Sequence, residues 1–195
     1  MSELPLFPLN TVLFPGGRLP LRIFEQRYME MAKACLRDGS PFGVCLIREG
    51  AEVGAPATPV EVGCLARIGR WDMPQLGLLE ITALGAQRFR ILERHVQPDG
   101  LALASFELLS EDQDSPIPDT CSGCVKLLER VIEQQAALFE SPHRLDSASW
   151  VSARLAELLP LPLAAKQELL ELTDARTRLE RLNSLLAPKS RSEPD

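Results

Sequence analysis

The sharpest chemical signal in the chain is Cys121-Ser122-Gly123-Cys124, two thiols three positions apart where a helix should begin. A C-x-x-C in that setting can cycle as a dithiol or hold a metal, because a helix N-terminus favours thiolate. A structural zinc site needs four ligands, and the chain has no second C-x-x-C and no His-x3-His. A redox C-x-x-C usually opens a helix within a βαβ unit, whereas a linker precedes Cys121. Small residues packing the first helical turn is the preferred reading, with redox the alternative. Cys35, Cys45 and Cys64 are spaced as lone core residues.

Other catalytic constellations are missing. Lys33, Lys126, Lys166 and Lys189 follow Ala, Val, Ala and Pro, so none completes a Gly-Lys-Ser/Thr phosphate loop. No G-x-S-x-G elbow occurs. Of the two histidines, His95 sits in an expected strand as a surface or edge residue, and His143 follows Pro142 in an expected exposed loop. Glu129 with Glu133, Glu168 with Glu171 and Glu107 with Glu111 are spaced as solvated faces. No catalytic residue, metal or cofactor is expected, and the chain reads as not an enzyme.

The elements that would position any site fall into two halves. Residues 1–112 are rich in Gly, Pro and alternating apolar runs. Period-2 alternation predicts strands over 4–7, 10–14, 42–48, 60–70, 77–83, 86–96 and 101–109. Pro98-Asp99-Gly100 predicts a hairpin between the last two. Many short strands with turns between them suggest a small barrel or sandwich. One helix interrupts them. Phe24, Tyr28, Met31, Ala32, Cys35 and Leu36 share a face at helical spacing, and Gly39 ends it.

Residues 112–118 read as a polar, Pro-bearing linker and domain boundary. Four helices should follow, over 119–187. The first is capped by Asp119 or Thr120, carries Val125, Leu128, Ile132 and Phe139, and breaks at Ser141-Pro142-His143. Asp146 should cap the second, Pro160 and Pro162 precede the third, and Asp174 should cap the fourth. Pro188 ends that helix, and residues 188–195 should form a flexible tail.

The formal net charge is -6, with four lysines, 17 arginines and 27 acids and no basic run. Phosphate-backbone binding needs a basic face, so a nucleic-acid partner is disfavoured. No apolar stretch approaches the ~18 residues of a membrane span, and the N-terminus lacks a signal peptide's basic region. Five cysteines, an odd number, fit a reducing cytoplasm. For contact with other molecules, Trp71-Asp72-Met73-Pro74-Gln75-Leu76 is the best candidate. It places Trp71, Met73 and Leu76 in an expected connection between strands, where Pro74 forbids regular pairing. Either this loop caps the barrel or it offers a contact surface. The cleft between the halves is a second candidate.

Five motifs in order carry a resemblance. Leu4-Pro5-Leu6-Phe7-Pro8-Leu9 with Val12-Leu13-Phe14-Pro15-Gly16 resembles the opening of the Lon protease N-terminal domain. The Ile23 to Tyr28 helix looks like that of the same family's bacterial stand-alone members. Glu61 to Ile68 and Gly85 to Ile91 are similar to two of its strands, though Leu84 stands where an acid is usual. Leu161 to Glu171 matches its K-Q-x-LLE helix. The resemblance implies an α+β fold: a PUA-like, antiparallel β-barrel with one helix, then a four-helix bundle. It also implies a stand-alone substrate-recognition module without ATPase or Ser-Lys peptidase. The implied partner is an unfolded or degron-bearing polypeptide, or a protease or chaperone, with no membrane. The rival readings are a PUA-like RNA binder and a small-molecule or redox protein using the cleft and Cys121/Cys124.

Overall fold

A computed structural model of the protein describes residues 3–110, 112–136, 139 and 142–186. Seven strands and one helix come first: β1 (Leu4–Leu9), β2 (Arg18–Ile23), α1 (Gln26–Asp38), β3 (Phe42–Glu49), β4 (Thr58–Pro59), β5 (Val62–Gln75), β6 (Leu78–Val96) and β7 (Ala102–Leu108). A 3₁₀ turn (Asp119–Cys121) then leads into α2 (Ser122–Gln134), α3 (Ala148–Leu158), α4 (Leu163–Glu171) and α5 (Ala175–Leu186). The α+β fold class expected from the sequence holds.

Five strands close on themselves. β1 pairs with β7, β7 with β6, β6 with β5 and β5 with β3, all antiparallel. β3 then returns to β1 through a parallel pairing, Leu6 opposite Gly43 to Leu9 opposite Leu46. That pair qualifies the antiparallel expectation. Closure leaves the ring without edges. The interior is filled by Phe89, Ile91, Leu4, Leu6, Cys45 and Ala104, all buried. Phe89 fits because glycines face it: a Cβ on Gly43 would lie 2.6 Å from its ring, and one on Gly63 2.9 Å. α1 lays Tyr28, Met31, Ala32 and Cys35 against Phe7, Phe42, Leu79 and Ile81, and Gly39 follows it as expected. Phe24 is not on that face, because the helix starts at Gln26 and leaves Phe24 exposed.

β6 is nineteen residues long because the expected strands at 77–83 and 86–96 are one. Its second half belongs to the barrel. Its first half is flanked by β5 on one side and β2 on the other. No strand forms over 10–14. Instead Val12 and Phe14 leave the sheet and bury their side chains in the helical core with Leu128, Leu155, Leu169 and Leu179. The two halves therefore share one apolar cluster.

The helices differ from expectation at their ends. Pro118 precedes the 3₁₀ turn and no side chain caps it. α2 stops at Gln134, short of Phe139. Ser147, not Asp146, caps α3 by accepting from Trp150 N at 3.0 Å. Asp174 does cap α5, accepting from Thr177 N at 2.7 Å. The 112–118 segment is tied down, with bridges from Gln113 to Asp174 and from Pro116 to Ser147. The expected break at Ser141 and the tail at 188–195 lie outside the described residues.

Candidate functional site

β5 and β6 run past the barrel as an arm, with β2 as a third strand alongside β6 up to Leu79. Trp71-to-Leu76 is not the loop expected: Trp71, Asp72 and Gln75 pair with Ile81, Glu80 and Leu78. Pro74 is accommodated at an irregularity between Asp72 and Gln75, where its missing N–H leaves no gap in the ladder. The turn shrinks to Leu76-Gly77, with Gly77 at φ 83° supplying the left-handed residue. Directly opposed residues share a face, so Leu21, Ile81 and Trp71 form one row and Arg22, Glu80 and Asp72 the next.

The first row starts in the core and ends outside it. Ile81 is buried and Leu21 packs against the core cluster, whereas Trp71 is 59 % exposed. Met73 is 41 % and Leu76 98 % exposed. The three residues thus do not fold back to cap the barrel. In the charged row Arg22 donates to Glu80 at 2.9 Å. A groove of about 530 Å³ is lined by residues of all three strands, among them Pro20, Arg22, Arg70, Trp71 and Glu80.

The cleft between barrel and helices is about 350 Å³, with walls that include Val12, Leu13, Leu19 and Leu158. Arg18, Arg154, Glu157 and Lys166 also line it. Arg154 reaches across from α3 to donate to the carbonyls of Pro15 and Gly16. Glu157, one turn on, lies 3.1 Å from Arg154 and accepts from Phe14 N at 3.3 Å. Burial pushes its carboxyl up to about 7, although Arg154, the Phe14 N–H and Lys166 pull it down. Burial likewise draws Arg154 and Lys166 below their usual values. Lys166 donates to the Glu157 carbonyl at 2.7 Å.

Deeper in the seam, Asp112 bridges two buried arginines, Arg88 at 2.8 Å and Arg178 at 2.6 Å. Arg88 also donates to the carbonyls of Leu170 and Leu172, and Arg178 to those of Leu169 and Leu172. These are carbonyls at the end of α4, where cations satisfy orphan acceptors and oppose the helix dipole. The arrangement locks the barrel, the 112–118 segment and the helices together. It offers no reacting atom.

The remaining candidates are structural. All five cysteines are buried and unpaired. Burial pushes Cys124 up to about 11 and Cys64 up to about 12, which opposes thiolate chemistry. Cys124 instead donates to Asn183 at 3.6 Å. His95, on β6, is half-exposed at the surface with its Nδ1 3.3 Å from Glu3. His143 is not a free loop residue: its ring lies 6.1 Å from Phe139 and 6.0 Å from Trp150. Among the described residues no group of three metal-ligating side chains comes together, and no helix is long and apolar enough to cross a membrane. Sequence reasoning missed Arg154, Glu157 and the Arg88–Asp112–Arg178 bridge. Its available signal was the i,i+3 pairing of Arg154 with Glu157 on a mainly apolar helix.

Comparison with known proteins points the same way as the five motifs. The Lon N-terminal domain protein from Xanthomonas campestris superposes with a TM-score of 0.79 at 36 % identity, covering 94 % of this chain and 98 % of that one. The N-terminal domain of the Mycobacterium avium complex Lon protease shares the fold, with a TM-score of 0.70 at 18 % identity over 97 % of this chain and all of that one. The Lon protease of Anaeromyxobacter dehalogenans is 28 % identical over 197 residues, which is 96 % of this chain and 23 % of that protein. The chain thus spans about a quarter of the length of the curated relatives it matches. The model of the ATP-dependent protease La (LON) substrate-binding domain matches residues 3–188, and the chain belongs to that family.

Proposed function

We propose that this domain is a non-catalytic module that binds polypeptide segments with exposed apolar side chains, using the end of the β5–β6 arm as its contact surface. The observation behind this reading is the exposure of Trp71, Met73 and Leu76 on a hydrogen-bonded arm rather than a collapsed loop. Exposed apolar groups gathered in one place mark interaction sites. An arm with its backbone already ordered loses little entropy on binding. Met73 beside Trp71 gives an adaptable surface, suited to unfolded or degron-bearing chains of many sequences, or to a partner protease or chaperone. Unpaired thiols and the absence of a basic run favour a cytoplasmic setting and a protein partner over nucleic acid.

Fluorescence anisotropy of a labelled, permanently unfolded protein tests the reading. Saturable binding at micromolar concentration, about -8 kcal/mol, is expected. A native control and a labelled RNA should stay unbound, and Trp71→Ala should weaken the interaction. Binding of the RNA alone would sink the proposal.

A further inference from the structure

β5 has a partner on both sides only as far as Ala66. β6 pairs with it from Val62 to Gln75. β3 pairs with it at Cys64, Leu65 and Ala66 alone, because β3 itself begins at Phe42. Just beyond, Arg67 donates to the Gly39 carbonyl at 2.6 Å. Among the described residues no strand lies on the outer side of β5 after that point. β6, by contrast, is paired on both sides here. Pro20, Leu21 and Arg22 of β2 oppose Thr82, Ile81 and Glu80, which in turn oppose Arg70, Trp71 and Asp72 of β5. The edge beside Trp71 is therefore the edge of β5, and residues 69–77 are all exposed.

An unpaired strand turns alternate N–H and C=O groups outward. Another extended backbone matches such a row, whereas a helix satisfies those groups internally. The usable run is short. The ladder slips between Ile68 and Arg70 and again between Asp72 and Gln75. Pro74 has no N–H, and the Met73 N–H donates to Asp72 Oδ1 at 2.8 Å. Bulges, charge and proline are the features that keep one edge from pairing with an identical one, so a second copy of this chain is a poor occupant. A flexible polypeptide can follow the irregular edge. Its side chains then extend the rows already present across the arm. The row of Leu21, Ile81 and Trp71 is apolar, and the row of Arg22, Glu80 and Asp72 is charged.

We propose that residues 70–73 of β5 receive an extended polypeptide segment as an added strand, with apolar side chains at alternate positions and one of them beside Trp71. Polar residues between the apolar ones meet Arg70 and Asp72, and the amides facing β5 must be free, which excludes proline there. The proposal rests on the reading that the arm binds polypeptides, and gives that contact a backbone ladder in addition to its side chains.

The test is anisotropy with the full chain and a short labelled peptide of alternating apolar and polar residues. Two further versions carry N-methyl groups, one on the amides of the apolar residues and one on those of the polar residues. An added strand turns only one of these sets toward β5. One version should therefore bind about tenfold more weakly, the scale of two backbone hydrogen bonds, and the other should match the parent peptide. Hydrogen exchange should slow within residues 70–73 when the parent peptide is added. Equal binding of the two versions, or none by the parent peptide, while a labelled unfolded protein still binds, overturns the added strand alone. Slow exchange there without peptide, increasing as the chain is concentrated, assigns the edge to a second copy and also overturns the proposal. Failure of the peptide and the unfolded protein alike overturns the polypeptide-binding reading as well.

Discussion

The seam between barrel and helices buries charge, while the β5–β6 arm exposes apolar side chains. Arg88 and Arg178 are each 2 % exposed around Asp112, whereas Trp71, Met73 and Leu76 stand in water. Each region reverses the usual placement of its residue types. The seam tolerates this because Arg88 and Arg178 both meet Asp112 and helix-end carbonyls, so the desolvation of the ions is offset by directed bonds. The arm tolerates it because β-pairing, not side-chain burial, holds the backbone. Burial and stability are thus separable here: the seam is charged and structural, and the arm is apolar and available.

The largest effect expected is at the seam. Asp112→Ala leaves two buried guanidiniums without their carboxylate and should lower stability by about 3–5 kcal/mol, read as the denaturant midpoint. A loss below ~1 kcal/mol would mean that the carbonyls alone satisfy both arginines. Next comes Glu157. Its folded pKa of about 7 lies above the ordinary glutamate value, so folding favours its protonated form. Its stabilisation is full below about pH 4.5 and is lost as pH rises through 7. Glu157→Gln should remove that slope, on the order of 2–3 kcal/mol across the window. An unchanged stability–pH profile would place the carboxylate in better solvent than its burial implies.

The arm should respond oppositely. Trp71→Ala should leave the denaturant midpoint within ~0.5 kcal/mol and weaken polypeptide binding roughly tenfold, about 1.4 kcal/mol. Loss of stability together with binding would show that the arm is part of the core after all. The smallest effect concerns Cys121 and Cys124 in the helical core. Neither should alkylate at pH 8 in the folded protein, and both should react in denaturant. Alkylation of the native protein at that pH would revive the dithiol reading.

The elements that alternate or recur at helical spacing were legible: β1, β3, β7, α1 and the four later helices all lie near their expected positions. The family resemblance also placed the barrel before the bundle. Three features were not legible, each for a physical reason. Val12 and Phe14 carry a strand-like pattern but point into a core supplied by residues more than a hundred positions later. Pro74 looked like a break because its tolerance depends on where the register slips, which only the partner strand decides. The Arg88–Asp112–Arg178 bridge joins charges with no local spacing relation, and its buried state follows from long-range packing. For the contact surface, Trp71, Met73 and Leu76 were legible as exposed candidates. The cleft was foreseen as a place, but its lining required the fold.

The bond from Arg88 to the Leu172 carbonyl spans 84 residues, and that separation has a consequence in time. A ribosome extends a chain at about 5–20 residues per second, so roughly 4 to 17 seconds pass between synthesis of the two partners. Asp112 and the Ser110 carbonyl follow Arg88 by only 24 and 22 residues, but through the rest of that interval the Nη1 that serves the end of α4 has only water to bond. The barrel can therefore collapse early but cannot dry out at this point until α4 and α5 arrive. Completion of the fold is gated by its last helices, and a ribosome stalled before them should hold a chain that proteases still cut near Arg88.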